Sequence, residues 1–451
     1  MLLGTQRINA EGHLEVGGCD AVRLAREFGT PLYVMDEAAI RANCRAYKAA
    51  FEKRYPRNEI YYASKAFLTF AMAAIVAEEG LSMDVASLGE LHVALEAGFP
   101  ARRLALHGNN KSREELERAV AAKIGHIVVD NLFEIEMLAD VVRAGGAEQD
   151  VLVRTAPGVD PQTHRLIRTG QADTKFGLNI ADGSALRGVK QVLSTPGLRY
   201  RGIHCHIGSQ LLDTETHALS AEIMARLMRE IADQTGAVTD DLNIGGGLGV
   251  RYLAIQQPPS YDDFAEAITS SLKRTLDAAD LPYPRLLQEP GRALVGEAGV
   301  TLYTIGAIKS VPLDAAMDAN GRRRTYVSID GGMSDNPRPQ LYEAVYECIV
   351  ADKAGRPADS LVTIAGKHCE TDVLIWDTKV AAPEPGDVLA VQSTGAYNHA
   401  MASNYNRFLR PAVVLVNDGQ AVVVVERETL DDLTRHERMP ERLRLTWTAG
   451  R

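Results

Sequence analysis

A lysine closes an apolar run in Tyr61-Tyr62-Ala63-Ser64-Lys65-Ala66-Phe67. Glu59-Ile60-Tyr61-Tyr62-Ala63 reads as a buried strand, and an apolar helical pattern (Leu68, Met72, Ile75, Val76) begins just beyond the lysine. A lysine between two apolar elements is placed to lose its proton by desolvation and to attack a carbonyl as a free amine. Taken alone, the stretch favours a strand-end lysine that snorkels to water. Gly245-Gly246-Gly247-Leu248-Gly249 follows another strand, and successive bare N–H groups there can cradle an anion. It lacks the Lys-Ser/Thr of a P-loop and the spacing of a dinucleotide fingerprint, so a tight turn explains it equally well.

His204-Cys205-His206-Ile207-Gly208-Ser209 ends a further strand. Histidines at i and i+2 share a strand face, which makes a metal conceivable. No acidic third ligand stands nearby in the chain, so metal is the weaker reading. Stacking of His206 on a planar ring makes no such demand. Glu289-Pro290-Gly291-Arg292 offers a carboxylate for a protonated ring nitrogen and a guanidinium for a carboxylate or phosphate. An internal Glu289–Arg292 ion pair is the plain alternative. Later loops add Arg338 with Tyr342, Gly366-Lys367-His368-Cys369-Glu370 and Gly395-Ala396-Tyr397-Asn398. A lone cysteine such as Cys369 is more often a buried small hydrophobe than a catalyst. Together the residues offer a Schiff-base lysine, a phosphate loop, a carboxylate for a ring nitrogen and a histidine for stacking. Those are the needs of pyridoxal 5'-phosphate, and the coincidence lifts Lys65 above its plain reading.

Strands at 60–63, 81–86, 104–107, 126–130, 151–154, 200–206, 241–244 and 285–289 alternate with helical stretches. Eight such units predict a (β/α)₈ barrel, with a doubly wound open sheet as the alternative. The polar residues follow the strands, and only a barrel brings all those loops to one mouth. Beyond about Val295 strand-like runs and turns predict a β-rich second domain, a sandwich or distorted barrel. At 451 residues the chain is long enough for two domains. A formal charge of -10 leaves no basic excess for nucleic acid or an anionic membrane. No basic-then-apolar leader opens the sequence and no apolar run is long enough to span a bilayer. Five cysteines without metal-type spacing fit a reducing, cytoplasmic setting.

From about Pro31 to about Pro411 the sequence resembles the diaminopimelate decarboxylases, within the alanine-racemase-like, ornithine-decarboxylase-like group of pyridoxal phosphate enzymes. The motifs are Tyr62-Ala63-Ser64-Lys65-Ala66, His204-Cys205-His206-Ile207-Gly208-Ser209-Gln210, Gly245-Gly246-Gly247, Glu289-Pro290-Gly291-Arg292, Gly366-Lys367-His368-Cys369-Glu370 and Met401-Ala402-Ser403-Asn404-Tyr405-Asn406.

The resemblance implies that Lys65 forms the Schiff base and His206 stacks on the ring. Ser209, Gly246, Gly247, Glu289, Pro290, Gly291, Arg292 and Tyr397 would hold the cofactor, with Glu289 at the pyridine nitrogen. Arg292, Arg338 and Tyr342 would bind substrate carboxylate, Glu370 the distal amino group, and Tyr397 would also touch substrate. Cys369 would donate the proton. It further implies a head-to-tail homodimer in which Cys369 and Glu370 serve the other subunit's Lys65. The expected reaction is decarboxylation of meso-2,6-diaminopimelate to L-lysine. The nearest alternative is a related decarboxylase of ornithine, lysine, arginine or a carrier-bound amino acid. The implied domains are a segment 1–35 that joins the β domain, a barrel at 36–296 and a C-terminal β domain at 297–451. Two departures stand out. Thr371-Asp372 leaves the loop after Glu370 one residue short of the usual Ser-Gly-Asp, and Arg407-Phe408-Leu409-Arg410-Pro411 replaces the usual Arg-Pro-Arg-Pro. Both bear on specificity.

Overall fold

The protein is described by a computed structural model covering residues 1–159, 173–313 and 322–443. Eight short parallel strands form a closed ring: Asn58–Ala63, Ser82–Val85, Leu104–Leu106, His126–Val129, Gln149–Ala156, Leu198–His204, Asp241–Asn243 and Arg285–Gln288. The ring shuts where Leu286 pairs with Asn58, and every neighbouring pair is parallel. The open-sheet alternative is therefore set aside.

Strand alternation sorts the side chains. Tyr61, Ala105, Val128, Leu152 and Leu287 fill the barrel interior. Ile60, Tyr62, Met83 and Val85 turn outward into the core beneath the helices. Below that interior layer, Arg285 holds Asp241 with two bonds of 2.8 and 2.9 Å and reaches Glu59 at 2.6 Å. A polar plug thus seals one end of the barrel and leaves the other for chemistry.

Helices start directly above the strands because capping residues stand there. Ser112 caps the helix Arg113–Ala122 in a reciprocal capping box with Glu115. Thr69, Ser87 and Asn131 cap the helices that follow the first, second and fourth strands. The loops before these caps are short, so residues at strand ends have little freedom.

The second domain is built on the long strand Gly299–Pro312. It pairs with Arg323–Ile329, Val388–Val391 and Leu32–Asp36, the last also lying parallel to Ala412–Asn417. Hydrogen bonds join nine strands into one continuous branched sheet. Cys348–Val350 and Val373–Val380 are strands that the sequence pattern leaves unmarked. The first thirty residues, which give no periodic signal, make a small antiparallel sheet and the helix Ala21–Phe28. Val22 and Leu24 of that helix share a core with Leu302, Val388 and Val414. The far limit of the second domain, at 451, lies outside the described residues. Among the described residues, no helix is long and apolar enough to cross a membrane.

Candidate active site

At the open end of the barrel lies a cavity of about 450 Å³, lined by strand ends and by loops of the second domain. Lys65 sits in the 3₁₀ turn Ser64–Ala66, directly after the first strand. It opens into the cavity with His206, Ser209, Gly247, Glu289, Pro290, Gly291, Arg292, Arg338, Tyr342 and Tyr397. One wall therefore collects most of the residues singled out in the sequence. Gly246 lies immediately beneath it, buried.

Glu289 is 7% exposed and is approached by two histidines and an asparagine. His204 Nε2 stands 3.1 Å from Oε2, His107 Nε2 3.1 Å from Oε1, and Asn243 donates to Oε1 at 2.7 Å. Burial pushes the carboxyl up, but His107 and His204 more than reverse it and hold it well below the usual range. Burial also keeps His204 neutral, with its pKa lowered to about 4, and lowers that of His107. The site thus presents a fixed anion at its floor. The acidic partner that the local sequence lacks comes from the eighth strand, and it faces His204 rather than His206. An internal Glu289–Arg292 pair does not form: Arg292 donates to Ser209 at 3.1 Å and to the Tyr252 hydroxyl.

His206 lies just past its strand and accepts from the Gly246 N–H at 3.3 Å through Nδ1. Burial and the nearby Lys65 charge hold its pKa well below the ordinary histidine value. It is a neutral, flat, oriented ring.

Lys65 departs from expectation. Burial does draw its pKa down, but Tyr397, Asp84 and Glu289 together leave it above the ordinary lysine value. Desolvation alone does not free this amine. Tyr397 contributes most, followed by the overlooked Asp84 and by Glu289. The Asp84 carboxyl is itself pushed well upward by burial and by Glu289. Asp84 and Arg154, both cavity residues, are charged residues at barrel strand ends. Both sit within runs that read as strands, so a rule that looks just past the strands misses them. Tyr252 carries no positional signal, because it follows an irregular loop.

The glycine loop packs tightly against neighbouring backbone. A Cβ at Gly246 would lie 2.0 Å from the Glu289 carbonyl oxygen, and one at Gly247 2.5 Å from that of Gly208. Gly245 and Gly247 adopt φ values of +69° and +124°. The backbone must come this close and bend this way, which only glycine permits. The cavity also carries Lys65, Arg154, Lys175, Arg292 and Arg338 against Asp84 and Glu289, in a protein whose net charge is -10. Cations are concentrated where a phosphate and a carboxylate would bind. The donor set fits pyridoxal phosphate.

Cys369 and Glu370 are outside this cavity. Cys369 is exposed, not buried, and its N–H donates to Asn406 at 3.0 Å. Glu370 is exposed and accepts from the Tyr405 hydroxyl at 2.6 Å. The shortened loop after them is locked by Asp372. Its carboxylate takes the N–H groups of Met333 and His368 at 2.8 and 3.1 Å and meets His368 Nδ1 at 2.6 Å. Asp372 adopts a φ of +35° to do so.

Residues 37–296 match the family model described as the pyridoxal-binding domain of pyridoxal-dependent decarboxylases. The diaminopimelate decarboxylase of Bacillus subtilis is 47% identical over 435 residues, covering 96% of this chain and 97% of that one. The chain belongs to the diaminopimelate decarboxylase family. The enzyme of Bacillus methanolicus is 44% identical over 94% of this chain and 96% of its own length. A crystal structure of the family from M. jannaschii, in complex with L-lysine, superposes with a TM-score of 0.90. It is 35% identical, covering 98% of this chain and all of the other. Membership in the family makes the cofactor pyridoxal phosphate and the fold a barrel with a strand-rich companion domain.

Proposed function

We propose that this protein is a carboxy-lyase that uses pyridoxal phosphate to convert meso-2,6-diaminopimelate to L-lysine and CO₂, the last step of lysine biosynthesis. The carrying observation is the shared cavity of Lys65, His206 and Glu289 with two arginines, Arg292 and Arg338. A substrate that keeps one carboxylate after losing another needs such a cationic wall. Ornithine and lysine as substrates lose their one carboxylate and keep none for this wall, whereas L-lysine bound as product offers it the retained one.

When bound, the cofactor supplies an electron sink for the pair left behind by departing CO₂. The chain's residues do the rest. Lys65 would anchor the cofactor aldehyde through its neutral amine, with Tyr397, Asp84 and Glu289 setting the charge around it. Glu289, kept ionised by His107, His204 and Asn243, would favour the protonated form of the ring nitrogen. His206 would stack on the ring. The loop at Gly246 and Gly247, with Ser209, Tyr397 and the segment of Pro290, Gly291 and Arg292, would take the phosphate end. Arg292, Arg338 and Tyr342 hold the retained carboxylate, and Tyr397 borders the substrate.

Cys369 and Glu370 are assigned to a second subunit's cavity in a head-to-tail homodimer. Their exposure, and their position outside the cavity of their own chain, support this. There Cys369 delivers a proton to the carbon that lost CO₂, and Glu370 meets the distal amino group. All five cysteines are free, which fits a reducing, cytoplasmic setting.

The test is a ranking of kcat/KM for meso-diaminopimelate, ornithine, lysine and arginine with the cofactor-loaded protein. The proposal requires meso-diaminopimelate to lead by about 10²-fold or more, as expected when a site built for a polar group rejects analogues lacking it. A faster reaction with ornithine would overturn it.

A further inference from the structure

Arg292 and Arg338 reach the cavity from different domains, one after the eighth barrel strand and one in the short helix Arg338–Tyr342. Two guanidiniums at one site repel each other, and something must hold them at a fixed spacing. Behind them, and not lining the cavity, is Tyr252. Its hydroxyl accepts from Arg292 Nη1 and, at 2.9 Å, from Arg338 Nη1. The arginine carbons lie 5.7 and 5.1 Å from the centre of its ring.

The phenol itself is enclosed and its backbone is tied down. Tyr252 is 4% exposed, and its N–H and that of Leu253 both donate to Gln256 Oε1, at 2.8 and 3.1 Å. Its ring packs edge-on against Tyr346, 5.2 Å between centres. Tyr346 also accepts from Arg338 at 2.6 Å. Burial raises the pKa of the enclosed phenols Tyr33, Tyr47, Tyr62 and Tyr303. Tyr252 alone of these goes down, because Arg292 and Arg338 outweigh its burial.

We infer that Tyr252 is a positioning residue: its oxygen clamps Arg292 and Arg338 into one fork that recognises the carboxylate retained by the substrate. It acts through the two arginines and touches neither substrate nor cofactor. The inference rests on the decarboxylase reading for the identity of the ligand, but not for the clamp itself.

The test compares direct binding of L-lysine and cadaverine to the cofactor-loaded protein by isothermal titration calorimetry. The two probes share a carbon chain and amines and differ in the carboxylate. Tyr252→Phe keeps the ring and removes the acceptor. Lysine affinity should fall about 10-fold or more, as expected for a lost hydrogen bond to a charged group, with cadaverine changed less than about twofold. The KM for meso-diaminopimelate should rise by a similar factor while kcat stays within about threefold. Tyr252→His, which restores an acceptor, should recover part of the preference for lysine. The clamp is overturned if Tyr252→Phe leaves lysine binding unchanged or weakens both probes equally. It is also overturned if the wild type does not distinguish them. A wild type that prefers lysine but does not decarboxylate meso-diaminopimelate sinks the substrate reading and leaves the clamp standing.

Discussion

His204 Nε2 faces a carboxylate oxygen of Glu289 at 3.1 Å, with neither group more than 7% exposed. An ionised carboxylate only accepts, so the neutral imidazole must carry its proton on that nitrogen. His107 approaches the other oxygen at the same distance. The pair keeps Glu289 an anion inside the protein, where an isolated carboxyl would take up a proton. Glu289→Gln keeps the shape and removes the charge. With the cofactor bound, kcat should fall by about 10²–10³-fold, the usual cost of losing one preorganised electrostatic partner. Steady-state assays at saturating cofactor check this, and a loss under threefold would contradict the assignment.

Acid should unfold the protein through its buried histidines. His204 and His217 are held neutral by burial, with folded-state pKa values lowered to about 4 from 6.5. A histidine that binds its proton more readily when unfolded stabilises the fold above pH 6.5, and that stability is lost as pH falls toward 4. For two such groups the slope is roughly 3 kcal/mol per pH unit inside that window. Urea denaturation at pH 7, 6 and 5 should show the midpoint falling. In His217→Gln the fall should be shallower by about one proton's worth.

The glycine loop makes a sharper prediction. A methyl at Gly246 would press to 2.0 Å from the Glu289 carbonyl oxygen, whereas one at Gly145 meets nothing within 4 Å. Gly246→Ala should weaken cofactor affinity by about 10-fold or more through displacement of the phosphate cradle. Gly145→Ala should leave it unchanged. Titrating the cofactor's absorbance band against each variant measures both.

The proposed sharing of the site between subunits predicts complementation. Lys65→Ala and Cys369→Ala proteins should each be inactive. Unfolded together and refolded, they should regain about one quarter of wild-type activity, since half the twofold dimers would carry one intact site of two. If Cys369 instead served its own subunit's Lys65, mixing would restore nothing.

The barrel was legible because its eight strands are short apolar runs, each followed by a capping residue or a polar loop. The same positional logic exposed Lys65, His206 and Glu289. It passed over Asp84 and Arg154, whose charges sit inside runs read simply as strands. The protonation of Lys65 was not legible either. It depends on Asp84, Tyr397 and Glu289, brought together only by ring closure and domain docking. The first thirty residues gave no period because their strands are two or three residues long. Tyr252 was hidden for a related reason: its meaning comes from Arg292 and Arg338, far along the chain.

The most direct measurement is joint quantification of L-lysine and CO₂ released from meso-diaminopimelate by the cofactor-loaded protein. Equal amounts of the two products, abolished by Lys65→Ala, are the expected result. Absence of lysine from the wild type, alongside CO₂ release from ornithine or another amino acid, would contradict the account.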